Sequence, residues 1–468
     1  MTTPNDTLFP DQWHFNLIGD IETIWDQYTG RDVNIGIFAD GIQFTHTDLD
    51  NNYNNTLQIV DDAGVAVSAA PNLTNNDALG TAAAGIIAAE LNGDGTVGIA
   101  YRASITGVNI LDATTYGFLG FTTSIGQSAF LHVIDQAASF DIMTNVWSKT
   151  AAFDLSKSQT TIGSFDYLYL QELEQNMSEG RLGLGTVVVQ AAGDDGIDAN
   201  GSSINASRLT ISVAATQSDG SATELTNIGS SILIAAPAAN ITTDLIGDNG
   251  YNATGITEPT GADPLTDTDY TSVFGGTPAA ASVVSGVIAL MLDANADLGW
   301  RDIQNILAIS AAHTGSAIGA TAVGFERSGW FVNGAGNWNG GGMSINASYG
   351  YGIIDAFAAV RMAEVWSILN ETPLTSLNEQ TGTAFATEFS TGLAIPGNNT
   401  EVSFTISSTI DIAVEHIRLN LDFEHPFIGD LKVFLTDPSG HKIQLVYDSN
   451  TPTSFNGTWS YGITSFLG

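Results

Sequence analysis

Short, nearly continuous apolar segments alternate with helical patterns through the first three quarters of this 468-residue chain. Such segments are typical of strands buried on both faces, and their alternation with helices favours an α/β fold with a mostly parallel, two-sided sheet. The strand candidates are "VNIGIFA" (33–39), "ASITGVNIL" (103–111), "DIMTNVWS" (141–148), "GTVVVQAA" (185–192), "RLTISVAA" (208–215) and "SILIAAPA" (231–238). Helices are predicted over 79–91, 124–138, 165–179, 279–294 and 301–313.

The stretch "FGGTPAAASVVSGVIALMLDAN" (274–295) combines a glycine turn with a long apolar helix. A helix that is apolar almost all round is buried in the core, so we expect this one to run through the domain. A turn of this kind often presents a nucleophile at the start of a helix. The residue in the presenting position is Pro278, which has no nucleophilic atom but is tolerated in the first turn.

The composition changes after residue 369. Residues 370–384 are polar and are predicted to be a linker between a first domain (1–369) and a second domain (385–468). The second domain carries short alternating segments separated by turns, a pattern typical of an all-β module. Its last residues, "SYGITSFLG", give no signal for a closing strand, so we expect the module to be incomplete and part of a longer protein.

Charge and composition exclude several classes of function. Twelve Lys and Arg stand against 50 Asp and Glu, a formal net charge of −38, which repels nucleic acid and anionic lipid and suits hard cations. No apolar run is long enough for a membrane span. The chain has no cysteine, which excludes disulfides, thiolate metal sites and a Cys nucleophile.

Several strings, in this order, resemble one enzyme family. They are "LFPDQWH" (8–14), "ADGIQFTHTDL" (39–49), "LGTAAAGIIAAELNGDGTVGIAYRASITGVNIL" (79–111), "GGTPAAASVVSGVIALMLDAN" (275–295), "LGWRDIQNIL" (298–307), "YGYGIIDA" (349–356) and "VEHIRLNLDFEHPFIGDLKVFLTDPSG" (414–440). The first 370 residues resemble a subtilisin-like serine protease of the kexin or proprotein-convertase branch. The tail resembles that branch's P (Homo B) domain. The resemblance implies a three-layer α/β domain followed by a β-sandwich or jelly roll.

The resemblance also assigns the positions of a catalytic triad, in which a Ser attacks, a His takes its proton and an Asp orients the His. The Asp position holds Ala39, the His position Leu79 and the Ser position Pro278. The oxyanion Asn position holds Asp194, and an ionised carboxylate repels a developing oxyanion. Each triad group is therefore absent from its expected position.

Replacement of the triad by neighbouring groups is not expected. Asp40 follows the vacant position, but consecutive side chains on a strand point to opposite faces. Thr277 carries a hydroxyl, yet no His is placed to activate it. Of the seven histidines, only His46 and His132 are predicted to lie near the C-terminal edge of the sheet.

One calcium site of the family matches better than the triad does. The resemblance places its oxygen ligands at Asp6, at Asp48 and in the loop "ELNGDGTVG" (90–98), where Asn92 supplies a side-chain oxygen and Asp94 lies nearby. The alternative is that Asp6 and Asp48 are surface acids and "NGDG" is only a turn. A second family calcium site is predicted to be lost, because Ala151 and Asn227 stand where acids are expected.

The sequence thus predicts an inactive, calcium-stabilised pseudoprotease that acts as a binding or structural module. Its old cleft would accept an extended peptide or protein segment by strand addition along residues 141–148. The alternative is an active calcium-dependent serine endopeptidase, the family's usual activity. The first residues show no signal peptide, so we expect export by another signal; a cytoplasmic location and the oligomeric state stay open.

Overall fold

The computed structural model describes most of the chain, and its core is one parallel sheet. The described residues are 3–61, 64–111, 124–149, 153–238, 240–255, 263–334, 342–382, 394–397, 400–407, 412–438, 440–447 and 454–468. The sheet has six strands in the order β2-β1-β3-β4-β5-β6. Its strands are β1 (Asn34–Ala39), β2 (Ser104–Asn109), β3 (Ile142–Asn145), β4 (Val187–Ala191), β5 (Thr210–Thr216) and β6 (Ile232–Pro237).

Each predicted strand candidate contributes one of these six strands, and neighbouring strands pair in parallel. Nearly every strand residue is buried, which is why the segments are continuously apolar rather than alternating. The predicted α/β class with a mostly parallel sheet is confirmed.

Seven α-helices accompany the sheet among the described residues. They are α1 (Ile21–Trp25), α2 (Leu79–Ala88), α3 (Ser124–Asp135), α4 (Phe165–Glu179), α5 (Gly276–Ala294), α6 (Trp300–Ser310) and α7 (Ala356–Leu369). The five predicted helices are present, and α7 was not among them. Helix α5 lies against β3, β4, β5 and β6, and α2 and α7 pack beside it.

Helix α5 is the central element of the main core, and all but a few of its residues are buried. The prediction that no apolar run is long enough for a membrane span is not met by α5, which alone among the described residues has that length and apolar character. Most of α5 is packed inside the protein, as is typical of a core helix. The prediction of a helix that runs through the domain is therefore confirmed.

Short antiparallel pairs complete the strands of the structure. They are β7 (Thr242–Thr243) with β8 (Tyr270–Thr271), β9 (Phe331–Val332) with β10 (Ser344–Ile345), β11 (Ile417–His425) with β14 (Phe455–Ile463), and β12 (Phe434–Thr436) with β13 (Lys442–Gln444). The last two pairs form the tail, which is β-rich as predicted. The described part of the predicted linker lies against α6, where Leu374 N donates to Asp302.

The tail has its own apolar cluster but is joined closely to the first domain. Trp459, Tyr461 and Phe455 of β14 pack with Phe153, a residue of the first domain. Trp459 donates its indole N–H to the Asn200 carbonyl at 2.8 Å. The two domains therefore share a core rather than meeting only through a flexible connection.

Candidate functional site

The three positions assigned to a triad lie where strands and helices meet at one edge of the sheet. Ala39 is the last residue of β1 and is fully buried. Leu79 begins α2, and the start of this helix abuts Ala39, because a Cβ built on Gly80 would lie 3.1 Å from the Ala39 Cβ. Pro278 is the third residue of α5, which packs beside α2. The sequence-predicted positions are thus brought to a common region.

Asp40, which follows the predicted acid position Ala39, caps the start of α2. Its two carboxylate oxygens accept the backbone N–H groups of Leu79 at 3.0 Å and Gly80 at 2.7 Å. These N–H groups have no acceptor within the helix, so the carboxylate satisfies them and complements the helix dipole. Burial raises the pKa of Asp40 to about 6.

Asp194 makes the same kind of contact with the start of α5. Its carboxylate accepts the Thr277 backbone N–H at 2.9 Å and the Thr277 hydroxyl at 3.0 Å. Burial raises the pKa of Asp194. Gly276 fits here because it adopts φ +72° and a Cβ would lie 2.8 Å from the Asp194 carboxylate. A backbone donor at the start of α5 is therefore already occupied by an acceptor from the protein itself.

Thr277 has a carboxylate partner but no imidazole. The hydroxyl is fully buried and also accepts the Gly193 N–H at 3.0 Å. Its bonds to Asp194 and Gly193 together hold it in place. His46 is engaged elsewhere: its Nδ1 accepts the Asp48 N–H at 3.1 Å, which leaves Nε2–H to donate to the Asp269 carbonyl at 2.9 Å. His132 lies in α3, on another part of the fold.

Strand β3, along which a peptide was predicted to add, is paired differently from what that prediction requires. Strand β3 pairs with β1 on one side and β4 on the other, so residues 142–145 have no free edge for an added strand. Strand addition along 141–148 is wrong for that part, because the backbone of β3 is already paired with both neighbouring strands. Beyond it, Trp147 is buried and its carbonyl accepts the Gln190 amide at 2.6 Å.

The three segments predicted to bind calcium do come together. Asp6 is buried, and its Oδ1 accepts the N–H groups of Asn92 at 2.9 Å and Gly93 at 2.8 Å. Asp48 is fully buried, and its Oδ1 accepts the Asn92 side-chain amide at 3.0 Å. Asp94 is exposed and accepts the N–H of Gly95 within its own turn. The alternative of Asp6 and Asp48 as surface acids is wrong, because both are buried.

Uncharged hydrogen-bond donors surround the Asp48 carboxylate. Its Oδ2 accepts from Thr96, through N at 3.0 Å and the hydroxyl at 3.2 Å, and the Tyr270 hydroxyl also bonds the carboxylate. Burial raises the pKa of Asp48 to about 7. Gly95 is required here because a Cβ would collide with the Tyr270 hydroxyl.

Two observations bear on whether these residues fit a cation. Among the described residues, no group of three or more His, Cys, Asp or Glu side chains is arranged to hold a metal. On the other hand, Asp6 Oδ2 is buried and has no hydrogen-bond partner. The Asn92 amide nitrogen lies 3.3 Å from the Thr47 carbonyl and 3.0 Å from Asp48, so a half-turn of the amide would place its oxygen beside both.

The position of the second calcium site holds an amide with a structural role. Asn227 is fully buried; its Oδ1 accepts the N–H groups of Asp195 and Ile197, each at 3.1 Å, and its amide donates to the Ala192 carbonyl. A neutral amide bonded in this way stabilises the loop after β4. Ala151 lies outside the described residues.

Sequence reasoning missed the roles of two tyrosines in the segment between β7 and α5, of which it considered only the acidic loop 260–270. This segment carries Tyr270, which reaches Asp48, and Tyr251, which packs against the main core. The sequence gives no way to tell which of its side chains turns inward.

Comparison with known proteins supports the resemblance. The Subtilase family (Peptidase S8) matches residues 30–352, and the proprotein convertase P-domain matches residues 414–468. The chain is 29% identical to Neuroendocrine convertase 2 of Drosophila melanogaster over 95% of its length, and 28% identical to Proprotein convertase subtilisin/kexin type 6 of Rattus norvegicus over 94%. It spans 64% of the first of these proteins and 44% of the second.

A solved structure with the same fold is the serine protease of Aeromonas sobria. It superposes with a TM-score of 0.78 and 22% identity, covering 100% of this chain and 87% of that chain. At this identity the likeness shows the fold alone. The family match over 323 residues, the six-stranded parallel sheet and the β-rich tail lead to one conclusion: the chain belongs to the subtilase family and carries a proprotein convertase P-domain.

Proposed function

We propose that this chain is a catalytically inactive subtilase that acts as a calcium-stabilised binding or structural module. The observation that carries the proposal is the set of side chains at the triad positions. Ala39, Leu79 and Pro278 offer no nucleophile, no base and no carboxylate. Peptide hydrolysis by this family's route needs all three groups, and loss of them removes most of the rate enhancement.

Asp194 supports the same proposal from the side of transition-state stabilisation. A donor aimed at the developing oxyanion contributes about 3 to 4 kcal/mol in this class of mechanism. Here the Thr277 N–H is bonded to a carboxylate, whose charge opposes that of an oxyanion. Asp194 adds to the argument from the triad positions, although some members of this branch carry Asp at the same position and this change alone decides little.

Labelling with a fluorophosphonate probe in the presence of calcium tests the proposal. We expect no covalent adduct on the folded protein, at any incubation time at which an active subtilase reacts to completion. Mass-spectrometric detection of an adduct on the folded protein, absent from the heat-unfolded one, would contradict it.

An active endopeptidase is kept as the second candidate because of one contact. The Thr277 hydroxyl lies 3.0 Å from Asp194, a carboxylate able to accept its proton. Complete burial of Thr277 argues against attack on a substrate. If labelling occurs and Thr277→Val abolishes it while Ser282→Ala does not, this candidate replaces the first.

For the cofactor, we propose a calcium ion held by Asp6 Oδ2, Asp48, the rotated Asn92 amide oxygen and the Thr47 carbonyl, with water completing the shell. The orphaned oxygen of Asp6 supports this site. The ion would tie the N-terminal segment, the loop after β1 and the loop after α2 together. Asp94, which is exposed, takes no direct part.

For partners and location, we propose an extracellular setting and an extended peptide or protein segment lying along the backbone around Ser148. The net charge of −38 supports the first, because an ion-rich exterior screens such a charge and supplies calcium. A role within a longer secreted protein accords with relatives that are longer than this chain. Nucleic acid and anionic membranes are not proposed as partners.

A further inference from the structure

Exposed apolar side chains surround the end of helix α5 that lies away from the triad positions. About 24 Å of helix separates Pro278 from Ala294, the last residue of α5. Single exposed apolar residues are common on proteins, whereas a group of them marks an interaction site. The group here consists of Leu182, which is fully exposed, Ile368 (79% exposed), Leu369 (70%) and Leu377 (84%).

The turn that carries Leu182 is fixed to the residues that follow α5. Arg181, whose side chain is nearly buried, donates to the carbonyls of Ala296 at 2.9 Å and Leu298 at 2.8 Å. Arg181 has φ +49° and Leu182 has φ +57°, a left-handed conformation that is unfavourable for residues with a branched or long side chain. Strain of this kind is concentrated at functional sites. A glycine would relieve it at position 182, but the chain presents a leucine to solvent there.

Helix α7 ends beside the same stretch of chain. The Asn295 side chain donates to the Ser367 hydroxyl at 3.1 Å, and Ile368 and Leu369 follow directly. Val365, which is also exposed, precedes them by three and four residues, so the three apolar side chains share one face of the helix. This face packs on no other described element at its end.

The segment after α7 brings Leu377 to the same place. The Trp300 indole donates to the Ser376 hydroxyl at 3.2 Å, and this hydroxyl lies 3.4 Å from the Met177 carbonyl near the end of α4. Leu377 is the next residue. Three segments that are distant in the sequence therefore place exposed apolar side chains around residues 295–300, and we call Leu182, Val365, Ile368, Leu369 and Leu377 the α5-end surface.

The exposed charges beside the α5-end surface are negative. Glu179 precedes the Leu182 turn, Asp297 follows α5 and Glu371 follows α7, and all three are exposed. Arg181 and Arg301 lie close to them in the sequence, but their side chains are only 6% and 11% exposed and are bonded within the protein. A partner therefore meets an apolar surface with an acidic rim. A second copy of the chain would bring the same negative charge, and an anionic membrane would be repelled as well.

We propose that the α5-end surface is a docking site for an apolar protein segment flanked by Lys or Arg. The apolar side chains of that segment would cover the exposed leucines and isoleucine, and its cations would lie against the acidic rim. Because this surface lies at the other end of α5 from Pro278, the inference goes beyond the proposed function and does not depend on the loss of the triad.

Fluorescence polarisation with a labelled amphipathic helical peptide of Leu and Lys tests the proposal. The same peptide with every Leu replaced by Ala carries the same charge and should bind much more weakly. The double variant Leu182→Asn/Ile368→Ser should bind the Leu/Lys peptide at least about tenfold more weakly than the wild type, because two anchoring side chains are lost. Equal affinities of the two peptides for the wild type would overturn the proposal.

Ile162→Ser is the matched control for loss of an exposed apolar side chain. Ile162 is 84% exposed but precedes α4, whose 15 residues span about 22 Å, whereas Leu182 follows that helix. This variant should bind the Leu/Lys peptide as the wild type does. Equal affinities of the double variant and Ile162→Ser would overturn the proposal.

Leu182→Asn alone separates a binding role from a structural one. Asn tolerates the left-handed conformation better than Leu, so the Tm should stay the same or rise while binding of the Leu/Lys peptide weakens. Weaker binding together with a lower Tm would show that Leu182 serves the fold and would overturn its docking role.

Two further measurements address the other possible occupants. Analytical ultracentrifugation of the wild type should show no dimer that the double variant lacks, and vesicles of phosphatidylcholine should not sediment with the wild type. A dimer or a vesicle complex that the double variant abolishes would overturn the proposed partner. Fluorophosphonate labelling would defeat the proposed function without changing any of these results, so the two failures are distinguishable.

Discussion

At the scale of single residues, two aspartates accept the backbone N–H groups at the starts of the two helices that carry the Leu79 and Pro278 positions. Asp40 bonds the first turn of α2 and Asp194 bonds the first turn of α5. Each replaces a water or a ligand that would otherwise satisfy these N–H groups. The Asp194 contact also occupies a backbone donor, Thr277 N–H, beside the predicted oxyanion position.

Asp40 predicts a definite pH dependence of stability. Below pH 4 its carboxyl is protonated in the folded and unfolded states alike. Between pH 4 and its folded pKa of about 6, only the unfolded chain releases the proton, so the free energy of unfolding falls as pH rises. A shift of this size corresponds to about 3 kcal/mol.

Urea unfolding of the wild type and Asp40→Asn between pH 4 and 7 measures this effect. We expect the variant to lose part of the decline in stability that the wild type shows over this range. Asp50→Asn, which changes an exposed aspartate, is the control and should follow the wild type. Parallel curves for the wild type and Asp40→Asn would show that Asp40 does not titrate as described.

At the scale of elements, the calcium site proposed at Asp6, Asp48 and Asn92 predicts an effect of metal on stability. Calcium should raise the Tm, by an amount equivalent to about 2.7 kcal/mol at 100 times Kd, because the ion binds the folded state alone. Asp48→Asn should abolish this rise, whereas Asp50→Asn should leave it intact. Differential scanning calorimetry with calcium and with a chelator measures the difference in Tm. The same rise in Tm in Asp48→Asn as in the wild type would contradict the proposed calcium site.

Elements were predictable where one physical signal dominates. The six sheet strands follow from continuous apolar runs, and α5 follows from its apolar circumference. Register and neighbours are set by tertiary packing, so the sequence did not indicate that β3 is paired on both sides. Helix α7 was not predicted, although Asp355 is an ordinary N-cap residue and the helix has buried apolar residues.

The candidate site was predictable in its residues but not in its contacts. The motif strings located Ala39, Leu79, Pro278, Asp194 and the loop near Asn92. Motifs do not report hydrogen bonding, so the capping roles of Asp40 and Asp194 emerged only from the structure. Tyr251 and Tyr270 lie in a segment without a motif, and no local pattern shows which side chain of such a segment is buried.

At the scale of the whole molecule, the tail is held to the first domain by buried polar contacts. Asn200 accepts the Gly462 N–H at 2.8 Å through its side chain, which also donates to Ser230 at 3.0 Å. Leu467, near the end of the described tail, is buried in the main core. Folding of the two domains should therefore be coupled.

Asn200→Ala tests this coupling. Loss of its side chain leaves the buried Gly462 N–H unsatisfied, which costs about 1 to 3 kcal/mol. We expect limited proteolysis to release the tail faster in this variant. Asn205→Ala removes a buried amide that bonds Ala192 within the first domain and should not release the tail selectively. Equal release from both variants would show that Asn200 does not hold the interface.

The central claim is that the scaffold has survived while peptide-bond hydrolysis has been lost. Its most direct measurement is incubation of the protein with an equimolar mixture of peptides in calcium, followed by mass spectrometry for new termini. The account predicts the same products and rates as in a sample with heat-unfolded protein. New termini that form only with the folded protein, and at a rate proportional to its concentration, would contradict it.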